Sequence, residues 1–278
     1  MGRVRTYERS GLTFDVTDSG PKSGTPVVCL HGFPQDSSAY HDVTEALVAQ
    51  GCRVLVPNQR GYSPGARPAS RSAYVVPELV ADIIALLDAA RLPNAHVVGH
   101  DWGGAVAWAL AAARPKRVRS LTALSTPHPS AMLWGSVTGT QALRSSYMAA
   151  FQLPILPERV ILARDGSLLL ALLRRSGLPE EQATRYVDRM REPGVLSSAL
   201  AWYRALVLPS SPLGPVGVPT TFLTGDLDPA FAERSIALTA SYVTGEYEHR
   251  GLRAGHWLPE TRPAVVAGAV LAHVQQSR

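Results

Sequence analysis

Eight residues constrain this chain more than any others: Val97-Val98-Gly99-His100-Asp101-Trp102-Gly103-Gly104. An apolar run precedes them and an Ala-rich run, Ala105 to Ala113, follows. The pattern predicts a strand, a sharp turn and a helix in immediate succession. Small residues flank the tip because such a turn leaves no room for side chains there. The central side chain is pushed out at the top of a sheet. Turns of this kind, nucleophile elbows, commonly read Gly-x-Ser-x-Gly. Here the centre is Asp101.

That exchange of hydroxyl for carboxylate selects the electrophile. Serine attacks an acyl carbon and becomes acylated. Aspartate displaces a leaving group from an alkyl carbon and becomes an alkyl ester. Water must then attack the carbonyl of Asp101 itself. An elbow carboxylate therefore points to an epoxide or a carbon–halogen bond. The plainer alternative is that Asp101 only caps the helix starting at Trp102, a position that favours Asp. Further groups of a site, described below, weigh against it.

Composition sets the outer limits. At 278 residues and 46% apolar the chain can bury a large core, and its length suits one α/β core carrying an insertion. No run of about 18 uncharged apolar residues occurs, so no membrane span is expected. Met1 to Glu8 has a basic start with no apolar stretch behind it, unlike a secretory leader. Cys29 and Cys52 fall in or beside core strands, which suggests buried thiols and a reducing, cytoplasmic compartment. The net charge of +5 is carried almost wholly by Arg, and Arg174, Arg175, Arg185, Arg189 and Arg191 form a modest cluster. With no nucleic-acid reading motif beside them, they read as a solvated helix face.

Along the chain, residues 3–9 and 11–18 read as an edge hairpin turning at Ser10-Gly11. Residues 26–30 form a continuous apolar run, as in a strand buried on both faces. Helix 37–50, strand 53–57, helix 77–90 and strand 118–124 follow. This alternation predicts an α/β fold: a mostly parallel sheet flanked by helices. From about Ala131 to Leu213 there is no strand pattern, only Leu-, Ala- and Arg-rich stretches broken by Pro and Gly. The expected division is core 1–129, helical cap 130–213 and core 214–278. The strand signal returns at Thr220 to Leu223.

Three further groups complete a candidate site. His31-Gly32-Phe33-Pro34 ends the first buried strand, where the loop can offer a backbone N–H as one half of an oxyanion hole. Phe33 is the expected donor, and the N–H of Trp102 the other; by itself the tetrapeptide is also compatible with a plain turn. His31 reads as a structural, hydrogen-bonded group. The returning strand ends in Thr224-Gly225-Asp226-Leu227-Asp228. Asp228, deeper in the loop, is preferred as the acid that orients an imidazole, with Asp226 as the fallback. His256, in Gly255-His256-Trp257, is the one histidine placed late behind that acid. The order nucleophile, acid, histidine is that of α/β-hydrolases.

These motifs resemble, nearly end to end, the epoxide hydrolases of the α/β-hydrolase fold. Haloalkane dehalogenases share most of them. The resemblance implies two cap tyrosines that hold and protonate the epoxide oxygen, because ring opening leaves an alkoxide that needs a donor. Tyr147, four residues before Phe151-Gln152, resembles the first. Tyr203, within Trp202-Tyr203-Arg204, resembles the second. With Trp102 they form the expected substrate-binding set. Cap tyrosines can equally be core packing with a polar tip. A dehalogenase would need halide donors: Trp102 offers an indole, Phe33 stands where Asn is often used, and Trp134 and Trp202 are the substitutes to consider. Fluoroacetate dehalogenases carry arginines around the elbow, where this chain has Trp102 and Ala105. Gln35 and Asn58 depart from the Glu and Asp common in hydrolases, and neither removes a catalytic group.

The resemblance thus implies an epoxide hydrolase without metal or cofactor. It would act on a small-molecule epoxide and water, with no nucleic acid and no membrane; a homodimer stays open. The alternatives are a haloalkane dehalogenase using the same Asp101, or a non-catalytic receptor of the same fold.

Overall fold

The computed structural model describes residues 3–277; Met1 and Gly2, part of the stretch read above as lacking a leader, and Arg278 lie outside them. Strands β1 (Thr6–Arg9) and β2 (Leu12–Ser19) form the antiparallel hairpin expected at the edge. Strands β3 (Thr25–Leu30), β4 (Cys52–Pro57), β5 (Ala95–His100), β6 (Val118–Leu124), β7 (Thr220–Gly225) and β8 (Tyr247–Leu252) are mutually parallel. The order across the sheet is β1-β2-β4-β3-β5-β6-β7-β8. Pro26 to Leu30 of β3 are buried, as their continuous apolar run requires, and every residue of β4, β5 and β7 is buried too.

Helices α1 (His41–Ala49), α2 (Val76–Ala89) and α3 (Trp102–Ala113) connect the parallel strands. Between β6 and β7 the chain forms only helices: α4 (Pro129–Thr138), α5 (Gln141–Arg144), α6 (Tyr147–Ala150), α7 (Leu156–Arg175), α8 (Glu180–Arg191) and α9 (Val195–Ala205). Helix α7 is interrupted at Ala163–Gly166, where Arg164, Asp165 and Gly166 all take left-handed φ values. The last connections are α10 (Glu233–Thr239), α11 (Leu258–Thr261) and α12 (Pro263–Gln276). Helix α12 packs on α1, and α2 on α3. Among the described residues no helix is long and apolar enough to cross a membrane.

Arg250-Gly251-Leu252, which the sequence pattern puts in the loop that follows the last strand and leads to His256, instead lies within β8. That strand is an edge with an exposed polar sequence, so no apolar alternation announces it. Helix α10 carried no sequence expectation. Of the clustered arginines of the inserted segment, Arg174, Arg175, Arg185 and Arg191 are exposed, as expected of a solvated face, and Arg189 is half-buried. Arg185 and Arg191 pair with acids at 3.0 and 2.8 Å, and Arg189 crosses to the sheet domain, donating to the Tyr62 carbonyl at 2.7 Å. Cys29 and Cys52 are buried thiols.

Candidate active site

Asp101 sits between β5 and α3 with φ 52° and ψ −122°, a strained conformation for a non-glycine residue. The close packing around it explains the small residues of the motif. A Cβ on Gly103 would overlap the carbonyl oxygen of Leu30. The Thr126 hydroxyl donates to the Asp101 carbonyl at 2.9 Å and holds the turn from the β6 side. Asp101 is not the side-chain cap of α3: it makes no such hydrogen bond to the helix. Its carboxylate points elsewhere.

Oδ1 of Asp101 accepts the backbone N–H of Phe33 at 2.8 Å. Oδ2 lies 3.7 Å from Nε2 of His256. The other ring nitrogen of His256, Nδ1, is 2.8 Å from Oδ2 of Asp228. The structure thus brings the three expected groups together from the ends of β5 and β7 and the loop after β8. Asp226, the fallback acid, is exposed. Asp228 is fixed in turn, because its Oδ1 accepts the N–H of Ala230 at 2.8 Å. The His256 carbonyl accepts the Ser125 hydroxyl at 2.7 Å and faces Nε2 of His100 at 2.8 Å.

Burial alone would raise the pKa of Asp101. The hydrogen bond and charge of His256, with the Phe33 N–H, outweigh it and hold the carboxyl below its usual range. For His256 burial works toward the neutral ring, yet the charges and hydrogen bonds of Asp228 and Asp101 push it up to about 10. The site at rest is therefore an imidazolium between two carboxylates.

Tyr147 and Tyr203 stand over this group. Their ring centroids are 6.1 Å apart. Tyr203 is buried and Tyr147 stands 41% exposed at the mouth of a cavity. Burial raises both pKa values, with Asp101 adding to it, so both hydroxyls keep their protons at neutral pH. Each motif around them has a positional role. The Gln152 amide donates to the Tyr203 carbonyl at 2.8 Å. The Trp202 indole donates to the Arg60 carbonyl at 2.8 Å. Arg204 donates to the carbonyl of Phe151 at 3.0 Å and pairs with Glu158 at 2.7 Å.

The cavity, about 560 Å³, is lined by Phe33, Asp101, Tyr147, Tyr203, Asp228 and His256 on one side and by the leucines of α7 on the other. Trp102 corrects an expectation: it does not line the cavity. Its ring packs behind Tyr203, with ring centroids 5.1 Å apart. Nor do Trp134 and Trp202 reach the lining. Sequence reasoning missed Gln141. It accepts the N–H of Ala232 at 2.8 Å and donates to the carbonyl of Ala230 at 2.9 Å, clamping the loop of Asp228. It carries no local signal, because its partners lie far along the chain.

The model of the α/β-hydrolase fold family matches residues 25–263. An α/β-hydrolase superfamily protein of Bacillus subtilis is 35% identical over 276 residues, 96% of each chain. Epoxide hydrolase A of Mycobacterium tuberculosis is 30% identical over 96% of this chain and 95% of its own. The chain belongs to the epoxide hydrolase family of the α/β-hydrolase fold. The crystal structure of epoxide hydrolase A from Mycobacterium thermoresistibile superimposes with a TM-score of 0.84 at 26% identity, covering 98% of this chain and 97% of that one.

Proposed function

We propose that this epoxide hydrolase opens uncharged, apolar epoxides to vicinal diols through an ester on Asp101. The observation that carries the reading is the geometry at that carboxylate. One oxygen is held by the Phe33 N–H, the other is left facing the cavity and His256, and two protonated tyrosines stand above. Asp101 attacks one ring carbon while Tyr147 and Tyr203 donate to the departing oxygen. Esterification removes the negative charge of Asp101. His256 then loses one of the two carboxylates that hold its proton and passes that proton to the tyrosinate left by ring opening; the neutral ring takes a proton from the attacking water and gives it to the diol oxygen as the ester breaks, and the acid left on Asp101 returns the resting proton to His256. The oxyanion formed on the ester is met by the Phe33 N–H, with that of Trp102 as the second donor in this scheme. Such a donor is worth about 3–4 kcal/mol.

Residues 1–129 and 214–278 act in this reading as the core and residues 130–213 as the cap. The substrate class follows from the far wall: Leu156, Val160, Leu168, Leu169, Leu172 and Leu173. Outside the reacting groups the charged residue of the lining is Arg144, which already donates to the carbonyl of Pro229 at 2.7 Å. A carboxylate or phosphate tail has little to pair with. A cytoplasmic location, which the two buried thiols favour, belongs to the same reading.

The dehalogenase alternative is disfavoured by the tryptophans: Trp102, Trp134 and Trp202 lie outside the lining, and Trp257, which is part of it, already donates its indole N–H to the Ser176 hydroxyl at 2.9 Å. The test is intact mass of His256→Gln after exposure to a panel of epoxides and alkyl halides. An adduct of whole-epoxide mass on Asp101 is expected. An adduct from halides alone, lacking the halogen, would move the activity to dehalogenation. No adduct from either, with ligand binding retained by the wild type, would favour a receptor.

A further inference from the structure

The mechanism above leaves one buried acid unused. Glu260, on α11, directs its carboxyl inward. Its Oε1 accepts the Gln35 side-chain amide at 2.7 Å and the hydroxyl of Tyr186, from α8 of the cap, at 2.8 Å. Its Oε2 is shielded from solvent and takes no hydrogen bond from another residue. Gln35 is fully buried. Its Oε1 accepts the backbone N–H of Gly32 at 2.8 Å and faces Nδ1 of His100 at the same distance. The Gly32 contact fixes which end of the amide is oxygen, and so which end donates to Glu260.

These contacts converge on the reacting groups. Gly32 immediately precedes Phe33, the donor to Asp101. A Cβ on Gly32 would overlap the Asp101 side chain, so this loop is pressed directly against the nucleophile. His100 immediately precedes Asp101, and its other nitrogen faces the His256 carbonyl. Glu260 itself lies at the start of the helix that follows His256. One carboxyl group thus links the oxyanion loop, the elbow, the histidine loop and the cap. Position 35, where hydrolases commonly carry Glu, here carries the amide, and the acid stands at the other end of the same hydrogen bond.

We propose that Glu260 is a positioning residue for the ester-hydrolysis half of the reaction: through Gln35 and Gly32 it holds the oxyanion loop so that the Phe33 N–H meets the oxyanion formed on the Asp101 ester. Burial pushes the Glu260 carboxyl up, while the hydrogen bonds from Gln35 and Tyr186 oppose the shift. Either protonation state presents Oε1 as the acceptor. The required property is therefore an acceptor of the right length, which glutamine also has and leucine lacks.

The inference rests on the Asp101 ester of the proposed function, and its test separates the two. Glu260→Leu, Glu260→Gln and wild type are followed by intact mass during turnover of a reactive epoxide. Glu260→Leu is expected to accumulate the ester and to lose about 10- to 100-fold in kcat, the scale of a misplaced reacting group, with ester formation in a single turnover little changed. Glu260→Gln is expected to restore the wild-type partition. A folded Glu260→Leu that turns over without ester accumulation would overturn the proposal, as would Glu260→Gln behaving like Glu260→Leu. If Glu260→Leu does not fold, Gln35→Met cuts the same link, and its failure to accumulate ester overturns the proposal equally. Should His256→Gln trap no adduct under these conditions, the ester reading itself fails, and this inference with it.

Discussion

Nδ1 of His256 lies 2.8 Å from Oδ2 of Asp228, and this pair holds a proton far above the ordinary range of an imidazole. The proton has consequences for stability. Folded His256 titrates at about 10 against 6.5 for a free ring, so its stabilising contribution is complete below pH 6.5 and disappears as pH rises toward 10. Burial acts in the opposite sense on His31, His96 and His128, each lowered to about 4. Below pH 6.5 the unfolded chain takes up protons that these folded rings refuse, and stability falls toward pH 4. Thermal unfolding midpoints should peak near pH 6.5. His256→Gln should flatten the alkaline flank alone; an unchanged flank would refute the assignment of that proton.

Replacing Asp228 by Asn keeps the shape of the loop but removes the charge that stabilises the imidazolium. Comparable triads lose about 10⁴-fold on this change. The loss should fall on ester hydrolysis, so that the Asp101 adduct becomes visible by mass in Asp228→Asn as it does in His256→Gln. Equal slowing of both halves would argue that Asp228 serves mainly to hold the loop.

The tyrosines should affect the other half. Tyr147→Phe and Tyr203→Phe each remove one donor to the epoxide oxygen, and donors of this kind contribute about 10²- to 10⁴-fold. Single-turnover ester formation is expected to slow by about 10²-fold in each variant, with decay of a preformed ester unaltered. Because Tyr203 is buried against Trp102 and Phe33 while Tyr147 stands at the mouth, Tyr203→Phe should also lower thermal stability, and Tyr147→Phe should not.

The leucine wall predicts a chain-length series. Each methylene transferred from water to an apolar surface is worth about 0.8 kcal/mol, or about fourfold in kcat/KM. Terminal epoxyalkanes should follow this slope until the chain fills the cavity, and Leu168→Asp should flatten it while sparing the shortest member. A flat series in the wild type would show that the wall does not bind substrate.

Away from the site, Arg60 and Asp82 form a two-point ion pair at 2.6 and 2.7 Å, each about 3% exposed, with Arg9 adding a third contact to Asp82 at 3.0 Å. Asp82→Ala leaves the Arg60 charge buried with its main partner gone and should cost about 3–5 kcal/mol in urea unfolding. A loss below about 1 kcal/mol would mean that Glu78, 3.8 Å from Arg60, takes over the charge.

The elbow, the order of nucleophile, acid and histidine, and the strandless insertion were all legible in the sequence. Each is written locally, in glycines at a tight turn or in the loss of strand periodicity. Trp102 was misplaced because its neighbourhood in sequence is the nucleophile, whereas its ring points back toward Trp202 and Tyr203. Gln141 and Glu260 were silent for a different reason. A polar residue that braces a distant loop looks, residue by residue, like any surface Gln or Glu. The departure at Gln35 was visible, but its meaning required the partner at Glu260.

The break in α7 places the leucines of both its halves along one cavity wall, and that wall treats the two ends of the reaction differently. An epoxide enters it as an almost wholly lipophilic solute. The diol leaves with two new hydroxyls, and hydrocarbon can answer neither. The surface that gathers the reactant therefore also expels what is made from it, so turnover on apolar epoxides should suffer little inhibition by accumulated diol. Much of the driving force for clearing the site is then supplied by water outside the protein.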